Sequence, residues 1–372
     1  MLDHLDDIPW ERLTHGYGSA ADVPDLLRSL RTAPPDMAGE DAPLRQLFSN
    51  IWHQGTVYEA TAHAVPFLIE LAACPRVPDR LGILELLAAI ATGRSFRDVH
   101  GNSLNEPDFA ERKAMELDWV EQAHAAVGRG VAAFLAMTEE QTDIRLAAAH
   151  LLAMLPEHRE IVCARLRGMA NAETGSLQRA GLLLLLGLAD DRSEAALSML
   201  TGAISSDDPM QRRGAAFAFA YLKPDPLPEL AHAAILDAIA ADDLEKGFDG
   251  LPWDVTAEIE RETLYACLDR ASRDEAAKAG IVAICAGKAT RQTVDTVVSL
   301  LFPLRPREMP LLSGSELSPL QKRAVRAISS AMEDGRRIAS GPFRRWGLPE
   351  TAPGWRALAA DDDAPGADGQ HP

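Results

Sequence analysis

Two sets of side chains in this chain have the types and spacing that acid–base or metal chemistry requires. Glu59 and His63 stand four residues apart, so on a helix they would share one face and could transfer a proton. A second set could offer oxygen and imidazole ligands to a divalent metal: Asp98, His100, Asn102, Glu106 and Asp108. A solvated helix pair and a polar loop that caps helix ends explain the same residues without chemistry. We therefore predict no catalytic residue and no metal site.

A third set of residues favours recognition rather than catalysis. Hydrogen-bonding and aromatic side chains are dense between residues 51 and 63, and aromatic side chains with a polar group make good binding anchors. The segment around Asp98 leaves the helix led by Arg80, and we expect it to fold back toward this cluster. The predicted binding surface consists of Trp52, His53, Gln54, Tyr58, Glu59, Asp98 and His100. A second interpretation stays open, in which Trp52 and Tyr58 cap the end of a helical array.

The remaining sequence contains none of the common signatures of cofactor or metal chemistry. It has no glycine-rich phosphate loop, no GxSxG, no HExxH and no CxxC, so no cofactor is predicted. The isolated cysteines are expected to be small apolar core residues of a reduced protein: Cys74, Cys163, Cys267 and Cys285. The N-terminus lacks a cationic and apolar leader, and no apolar run is long enough to span a bilayer. These features predict a cytoplasmic protein without a membrane partner.

The charge of the chain limits its partners. Lys and Arg number 37 against 55 Asp and Glu, which gives a formal net charge of −18. Binding to nucleic acid requires a surplus of cations that neutralise phosphates, so no nucleic-acid partner is expected. Residues 300–356 are an exception, with ten Lys and Arg against five Asp and Glu. The acidic remainder could attract a basic protein partner, or it could serve solubility alone.

Apolar residues recur at helical spacing along the chain. Ile83, Leu86, Leu87 and Ile90 show this pattern, which places an apolar stripe on one side of a helix. No segment shows sustained alternation with period two, so no hairpin is expected. The sequence therefore predicts an all-α fold.

The spacing between helices indicates a repeat. Successive Arg-led helices are separated by 35, 65, 34 and 34 residues, with one step close to a double period; they contain Arg45, Arg80, Arg145, Arg179 and Arg213. Second amphipathic helices lie between them, at 64–72, 131–137, 161–170, 196–204 and 230–240. Two helices in roughly 34 residues are typical of an α-solenoid, in which each helix pair buries its face against its neighbours. The phased arginines are expected to pair with acids of the turns, such as Asp143 and Asp207.

These helix pairs resemble HEAT repeats of bacterial proteins. The strongest resemblance is DDPMQRRGAAFAFAYL at 207–222 followed by LPELAHAAILDAIA at 227–240, and it extends over about residues 20–300. The resemblance implies a right-handed α-solenoid of HEAT-like helix pairs with an armadillo-like course. We predict an N-terminal segment (1–19), the solenoid (20–302) with an irregular insertion (92–118), a basic helical segment (303–360) and a disordered tail (361–372).

Two classes of function remain open. The first is a non-enzymatic scaffold or adaptor that binds a protein, in its narrower form an immunity-type protein that binds a basic toxin. The second is an enzyme on a HEAT-like scaffold, of the DNA glycosylase or chromophore-lyase type. A glycosylase needs a basic groove with aromatic side chains, which the acidic composition disfavours. An electrophoretic mobility shift with duplex DNA would separate the two classes.

Overall fold

The structure is a computed structural model that describes residues 1–35, 42–100, 108–140, 142–240, 248–253, 261–305, 309–333 and 343–360. Of these residues 69% lie in helices and 3% in strands, which confirms the predicted all-α class. The helices are α1 (Val23–Ser29), α2 (Pro43–Asn50), α3 (Thr61–Ala73), α4 (Arg80–Ala91), α5 (Phe96–His100), α6 (Phe109–Gly128), α7 (Val131–Met137), α8 (Thr142–Ala153), α9 (Arg159–Ala172), α10 (Ser176–Leu188), α11 (Glu194–Ile204), α12 (Pro209–Leu222), α13 (Glu229–Ala240), α14 (Arg261–Ala266), α15 (Arg270–Cys285), α16 (Arg291–Leu301), α17 (Pro319–Glu333) and α18 (Ala352–Ala360). The strands are β1 (Thr14–His15), β2 (Gly18–Ser19), β3 (Trp52–His53) and β4 (Thr56–Val57).

The alternation of Arg-led and second helices is present as the sequence predicts. The Arg-led helices are α2, α4, α8, α10 and α12, and the second helices are α3, α7, α9, α11 and α13. Local chemistry sets where they begin. Asp79 and Ser193 accept hydrogen bonds from the backbone of the first turns of α4 and α11, and α2 and α12 begin with proline.

Small residues allow neighbouring helices to approach closely. A Cβ atom on Gly187 of α10 would lie 2.5 Å from the Cα atom of Ala218 in α12. A Cβ atom on Gly214 of α12 would lie 2.4 Å from the carbonyl oxygen of Ala180. The consecutive leucines 182–186 of α10 are all completely buried, as expected for a helix with neighbours on every side.

Two of the five phased arginines form ion pairs with glutamates rather than with the expected aspartates. Arg80 of α4 donates two hydrogen bonds to Glu140, at 2.6 and 2.8 Å, and Arg145 of α8 is paired with Glu173. Each glutamate lies in the turn directly before the next Arg-led helix. Asp143 and Asp207 are exposed instead, so these two arginines pair with turn acids as expected, but the two acids that the sequence suggested were wrong.

The chain divides into two compact units. Unit 1 comprises residues 1–218 and 250–255, and unit 2 comprises residues 219–249 and 256–372. In unit 2, helices α15 to α17 share a hydrophobic core with the C-terminal part of the chain, including Phe343, Trp346 and Trp355. The predicted segment 303–360 therefore packs on the helices that precede it.

Two further sequence expectations differ from the structure, and others lie outside the described residues. The stretch 92–118, for which an irregular insertion is predicted, contains α5 and the first half of α6. Cys163 is buried as expected, whereas Cys285 is exposed because its helix turns that side to solvent. Most of the acidic stretch 241–262 and the whole tail 361–372 lie outside the described residues. No helix in the described part is both long and apolar enough to cross a bilayer.

Candidate functional site

Two short β-hairpins in unit 1 form the environment of the predicted binding residues. In the first, Thr14 pairs with Ser19 and His15 with Gly18; in the second, Trp52 pairs with Val57 and His53 with Thr56. The turn of the second hairpin is Gln54–Gly55, with φ angles of 50° and 93°. Two positive φ angles are what a two-residue turn needs to match the twist of its strands. The sequence does not predict this hairpin, because its strands are only two residues long and show no sustained alternation.

The first hairpin is attached to the end of α2. The Gly16 amide donates to the carbonyl oxygen of Asn50 at 2.9 Å. A Cβ atom at Gly16 would lie 3.2 Å from the carbonyl oxygen of Ser49 and 3.3 Å from ring atoms of Tyr58, so a larger residue is disfavoured there. Asp22 adds a polar link, because its carboxylate accepts from Asn50 Nδ2 at 2.7 Å and contacts His15 Nε2 at 3.0 Å.

Glu59 joins the two hairpins and does not act as half of an acid–base pair. Its carboxylate accepts hydrogen bonds from the amide and the hydroxyl of Thr14, at 3.0 and 2.9 Å. His63 lies one turn further along, and its ring meets the Trp10 ring edge-on with 6.5 Å between centroids. The Glu59 carboxylate is therefore engaged in holding the scaffold.

Tyr58 is half-buried and belongs to the hydrogen-bond network that holds the second hairpin against α3. Its hydroxyl lies 2.9 Å from Thr56 Oγ1, and Thr56 Oγ1 donates to the carbonyl oxygen of His53 at 2.7 Å. The Tyr58 amide donates to Thr61 Oγ1, which donates in turn to the carbonyl oxygen of Ile51 at 2.6 Å. Burial raises the pKa of Tyr58, so its phenol stays neutral at physiological pH.

The segment that leaves α4 folds back onto the second hairpin, as the sequence analysis expects. Arg94 donates its amide to the carbonyl oxygen of Gly55 at 2.9 Å and accepts from the Val57 amide at 3.2 Å. Helix α5 follows, and its Arg97 forms a buried ion pair with Glu116 of α6. Glu116 also accepts from the Arg97 amide at 3.0 Å, so α6 holds α5 in place beside the hairpin.

Asp98 and His100 are located on α5 but differ in what they contact. Asp98 accepts from Lys113 Nζ and Ser95 Oγ, both at 2.7 Å, and these hydrogen bonds lower the pKa of its carboxyl group. The His100 ring packs on Phe96 with 4.5 Å between centroids. His100 Nε2 is buried without a hydrogen-bond partner among the described residues. The two side chains therefore do not form a joint ligand set.

The side chains left available for recognition are those at the tips of the hairpins. Gln54 is exposed at its turn, and His53 and Trp52 are half-buried. The Trp52 ring packs edge-on against Phe48 at 5.9 Å, while its Nε1 has no partner in the described structure. We define the hairpin surface as Tyr17, Trp52, His53 and Gln54.

Tyr17 is the residue that sequence reasoning missed. It is 68% exposed, more than any other large apolar side chain in the described part of the chain, and its ring lies edge-on to His53 at 5.5 Å. The sequence signal was Gly16-Tyr17-Gly18, in which two glycines flank an aromatic residue and allow a tight turn. The hairpin raises Tyr17 above a surface otherwise formed by Ala- and Leu-rich helices.

The described residues were compared with the requirements of a metal site, and the chain was compared with known proteins. Within the residues that the structure describes, His, Cys, Asp and Glu side chains nowhere converge in groups of three or more that could hold a metal ion. Comparisons with family models, with curated proteins and with solved structures return no match. The HEAT assignment therefore stays a prediction from the residues alone.

Proposed function

We propose that this chain is a non-enzymatic cytoplasmic binding protein, a right-handed α-solenoid of HEAT-like helix pairs that holds a protein partner through the hairpin surface. The observation that carries the proposal is Tyr17, an exposed aromatic ring packed against His53 on a hairpin that Glu59 and Asn50 fix to the helices. A rigid aromatic anchor loses little conformational entropy when it binds.

The helix packing supports the solenoid part of the proposal. Arg-led and second helices alternate from α2 to α13, except where α5 and α6 lie between α4 and α7, and glycines bring α10 and α12 into close contact. Glutamates link successive Arg-led helices through Arg80 and Arg145. Repetition of one contact from pair to pair is the organisation of a solenoid.

The charge distribution supports a basic protein as the partner. The first 31 residues, which contain the first hairpin, carry six Asp and Glu against three Arg, and the whole chain carries −18. A basic partner would be attracted over a distance, and added salt would weaken this attraction. In the narrower form of the proposal, the partner is a cationic toxin that the chain neutralises.

Quantitative capture from a lysate tests the proposal. The immobilised wild-type chain is compared with Tyr17→Ala and with Ile161→Ala, which removes an exposed apolar side chain from α9 (53% exposed) and serves as the matched control. We expect a basic protein that wild type and Ile161→Ala retain, that Tyr17→Ala loses, and that salt elutes. Equal retention by Tyr17→Ala, or no protein retained by wild type, would contradict the proposal.

A further inference from the structure

A polar groove in unit 1 contains Arg179, which lacks the glutamate partner that Arg80 and Arg145 have. The groove has a volume of about 610 Å³ and lies among α9, α10, α11 and the start of α12. Its lining includes Arg167, Arg179, Ser198, Ser206 and Gln211, and none of the lining residues that the structure describes is acidic. We call it the Arg179 groove.

Arg179 occupies the same repeat position as Arg80 and Arg145. Both of those arginines are paired with a glutamate in the turn before the next Arg-led helix, at Glu140 and Glu173. Glu173 lies three residues before α10 begins, and the residue three before α12 is Ser206. A hydroxyl therefore stands in the groove where the preceding repeat supplies a carboxylate.

The neighbouring acids do not replace the missing glutamate. Asp208 is engaged at the start of α12, where its carboxylate accepts from the Met210 amide at 2.9 Å and from Gln211 Nε2 at 3.0 Å. Asp207 is exposed and does not line the groove. Aspartate is also one methylene shorter than glutamate, which reduces its reach toward the preceding Arg-led helix.

Arg179 consequently has no anionic partner in the part of the chain that the structure describes. Its Nε is buried and has no hydrogen-bond partner among the described residues, whereas Arg80 uses Nε, Nη1 and Nη2 in hydrogen bonds. Arg167 beside it is paired with Asp191, and its Nη1 also donates to Ser193 Oγ at 3.1 Å. A buried guanidinium donor without an acceptor is unfavourable, and a bidentate carboxylate is the ligand that its geometry fits.

We propose that the Arg179 groove binds a carboxylate from outside the chain, which takes the place that Glu140 and Glu173 occupy in the two earlier pairs. Ser198, Ser206 and Gln211 supply further hydrogen-bonding groups around the bound anion. The site is separate from the hairpin surface and recognises the opposite charge. The carboxylate belongs either to a small free acid or to an acidic residue of a peptide.

The Nε–H resonance of Arg179 in the isotope-labelled full chain reports binding directly. The probes are succinate, the blocked peptide Ac-Ala-Ala-Glu-Ala-Ala-NH2, its Gln counterpart, and inorganic phosphate. They are added to about 10 mM, where a site with a millimolar Kd is mostly filled. We expect a saturable shift with the Glu peptide and none with the Gln peptide. A shift with succinate as well shows that a free acid suffices, and its lack shows that the peptide context is required.

Two variants test whether the external carboxylate binds at the position that Glu140 and Glu173 occupy in the earlier pairs. Ser206→Glu supplies the missing internal acid and is expected to weaken binding of the Glu peptide at least tenfold, as is Arg179→Gln, with affinity read from shifts of the neighbouring amide groups. Arg129→Gln removes an exposed arginine elsewhere in unit 1 and is the matched control, with unchanged affinity expected. Their amide spectra show whether each variant is folded. Lack of a saturable shift with both carboxylate probes, binding of phosphate alone, or undiminished binding by folded Arg179→Gln would overturn the proposal.

Discussion

The hairpin surface and the Arg179 groove lie in the same compact unit but arise in different ways. The hairpin surface departs from the helical repeat in its backbone, since one short hairpin precedes α1 and the other lies between α2 and α3. The Arg179 groove retains the helical backbone and departs in a side chain, where Ser206 replaces an acid. A repeat protein can thus acquire a recognition site either by inserting another element or by leaving one repeated contact unfilled.

The largest expected effect concerns the support of the hairpin surface. Arg97→Met leaves the buried Glu116 carboxylate without its partner, so we expect the free energy of unfolding to fall by about 3–5 kcal/mol. Urea denaturation measures this loss. Adding Glu116→Leu removes the unpaired charge and should recover much of the stability. If the single and double variants were equally unstable, the ion pair would not be the cause.

Equivalent arginines of the repeat should differ in their contribution to stability. Arg80→Gln removes three hydrogen bonds of a nearly buried guanidinium and should cost about 2 kcal/mol. Among the described residues Arg179 Nε has no hydrogen-bond partner, so Arg179→Gln should change stability by less than about 0.5 kcal/mol. Denaturation of both variants under the same conditions compares them. Equal costs would mean that Arg179 has a partner and that the groove is not a site for an external anion.

The turn of the second hairpin should show a smaller effect. Gly55→Ala places a side chain at a φ of 93°, which L-residues rarely adopt, so we expect a loss of about 1 kcal/mol. Ala62→Gly, in the first turn of α3, is the control with the reverse substitution. It should also lose stability, but because the unfolded chain gains conformational freedom. Thermal denaturation gives both values. A neutral effect of Gly55→Ala would indicate that the turn adopts another conformation in solution.

The smallest expected effect is a pH dependence of the stability of the fold, and it arises from a pair of residues outside both sites. His124 Nδ1 donates to the carbonyl oxygen of Ala91 and His124 Nε2 contacts Glu157, each at 2.9 Å. Burial lowers the pKa of His124, but these two acceptors outweigh it and raise the pKa above 6.5. Burial raises the pKa of Glu157, but the hydrogen bonds and positive charges around it, led by the hydrogen bond to His124, together outweigh burial. The pKa of Glu157 is therefore lowered from 4.5.

The sign of each contribution follows from these directions. The stabilisation from His124 is complete below its unfolded pKa of 6.5 and is lost as pH rises through the higher folded pKa. The stabilisation from Glu157 is present above 4.5 and is lost as pH falls through its lower folded pKa. NMR titration of His124 should give a pKa above 6.5, and Glu157→Gln should lower it. A pKa at or below 6.5 in the wild type would contradict the pairing.

The helical part of the fold could be predicted because the signals are local. The apolar spacing around Ile83 and Leu86 and the return of Arg145, Arg179 and Arg213 at one period identify helices and their pairing without tertiary information. The first half of helix α6 was predicted to be irregular, since it is mostly exposed and the one residue buried there is the charged Glu116. Periodicity of apolar residues does not detect a helix that is held by an ion pair.

The sequence predicted which segments lie together at the candidate site, but not which contacts their side chains make. Residues 51–63 and 98–100 do lie on neighbouring elements, because the backbone of Arg94 continues the second hairpin. The roles of the individual side chains depend on long-range contacts that spacing does not reveal. Glu59 is engaged by Thr14 from 45 residues away, and Tyr17 reaches His53 from the other hairpin.

The affinity of the captured partner for Tyr17→Ala, measured by calorimetry together with the melting temperature, tests the central claim most directly. Tyr58→Ala serves for comparison, since its ring is half-buried and its hydroxyl is bonded to Thr56. The account predicts that Tyr17→Ala keeps the wild-type melting temperature and binds at least about tenfold more weakly, the loss expected for a true anchor. It predicts that Tyr58→Ala loses stability instead. Wild-type affinity of Tyr17→Ala per folded molecule would show that the hairpins only cap the helices.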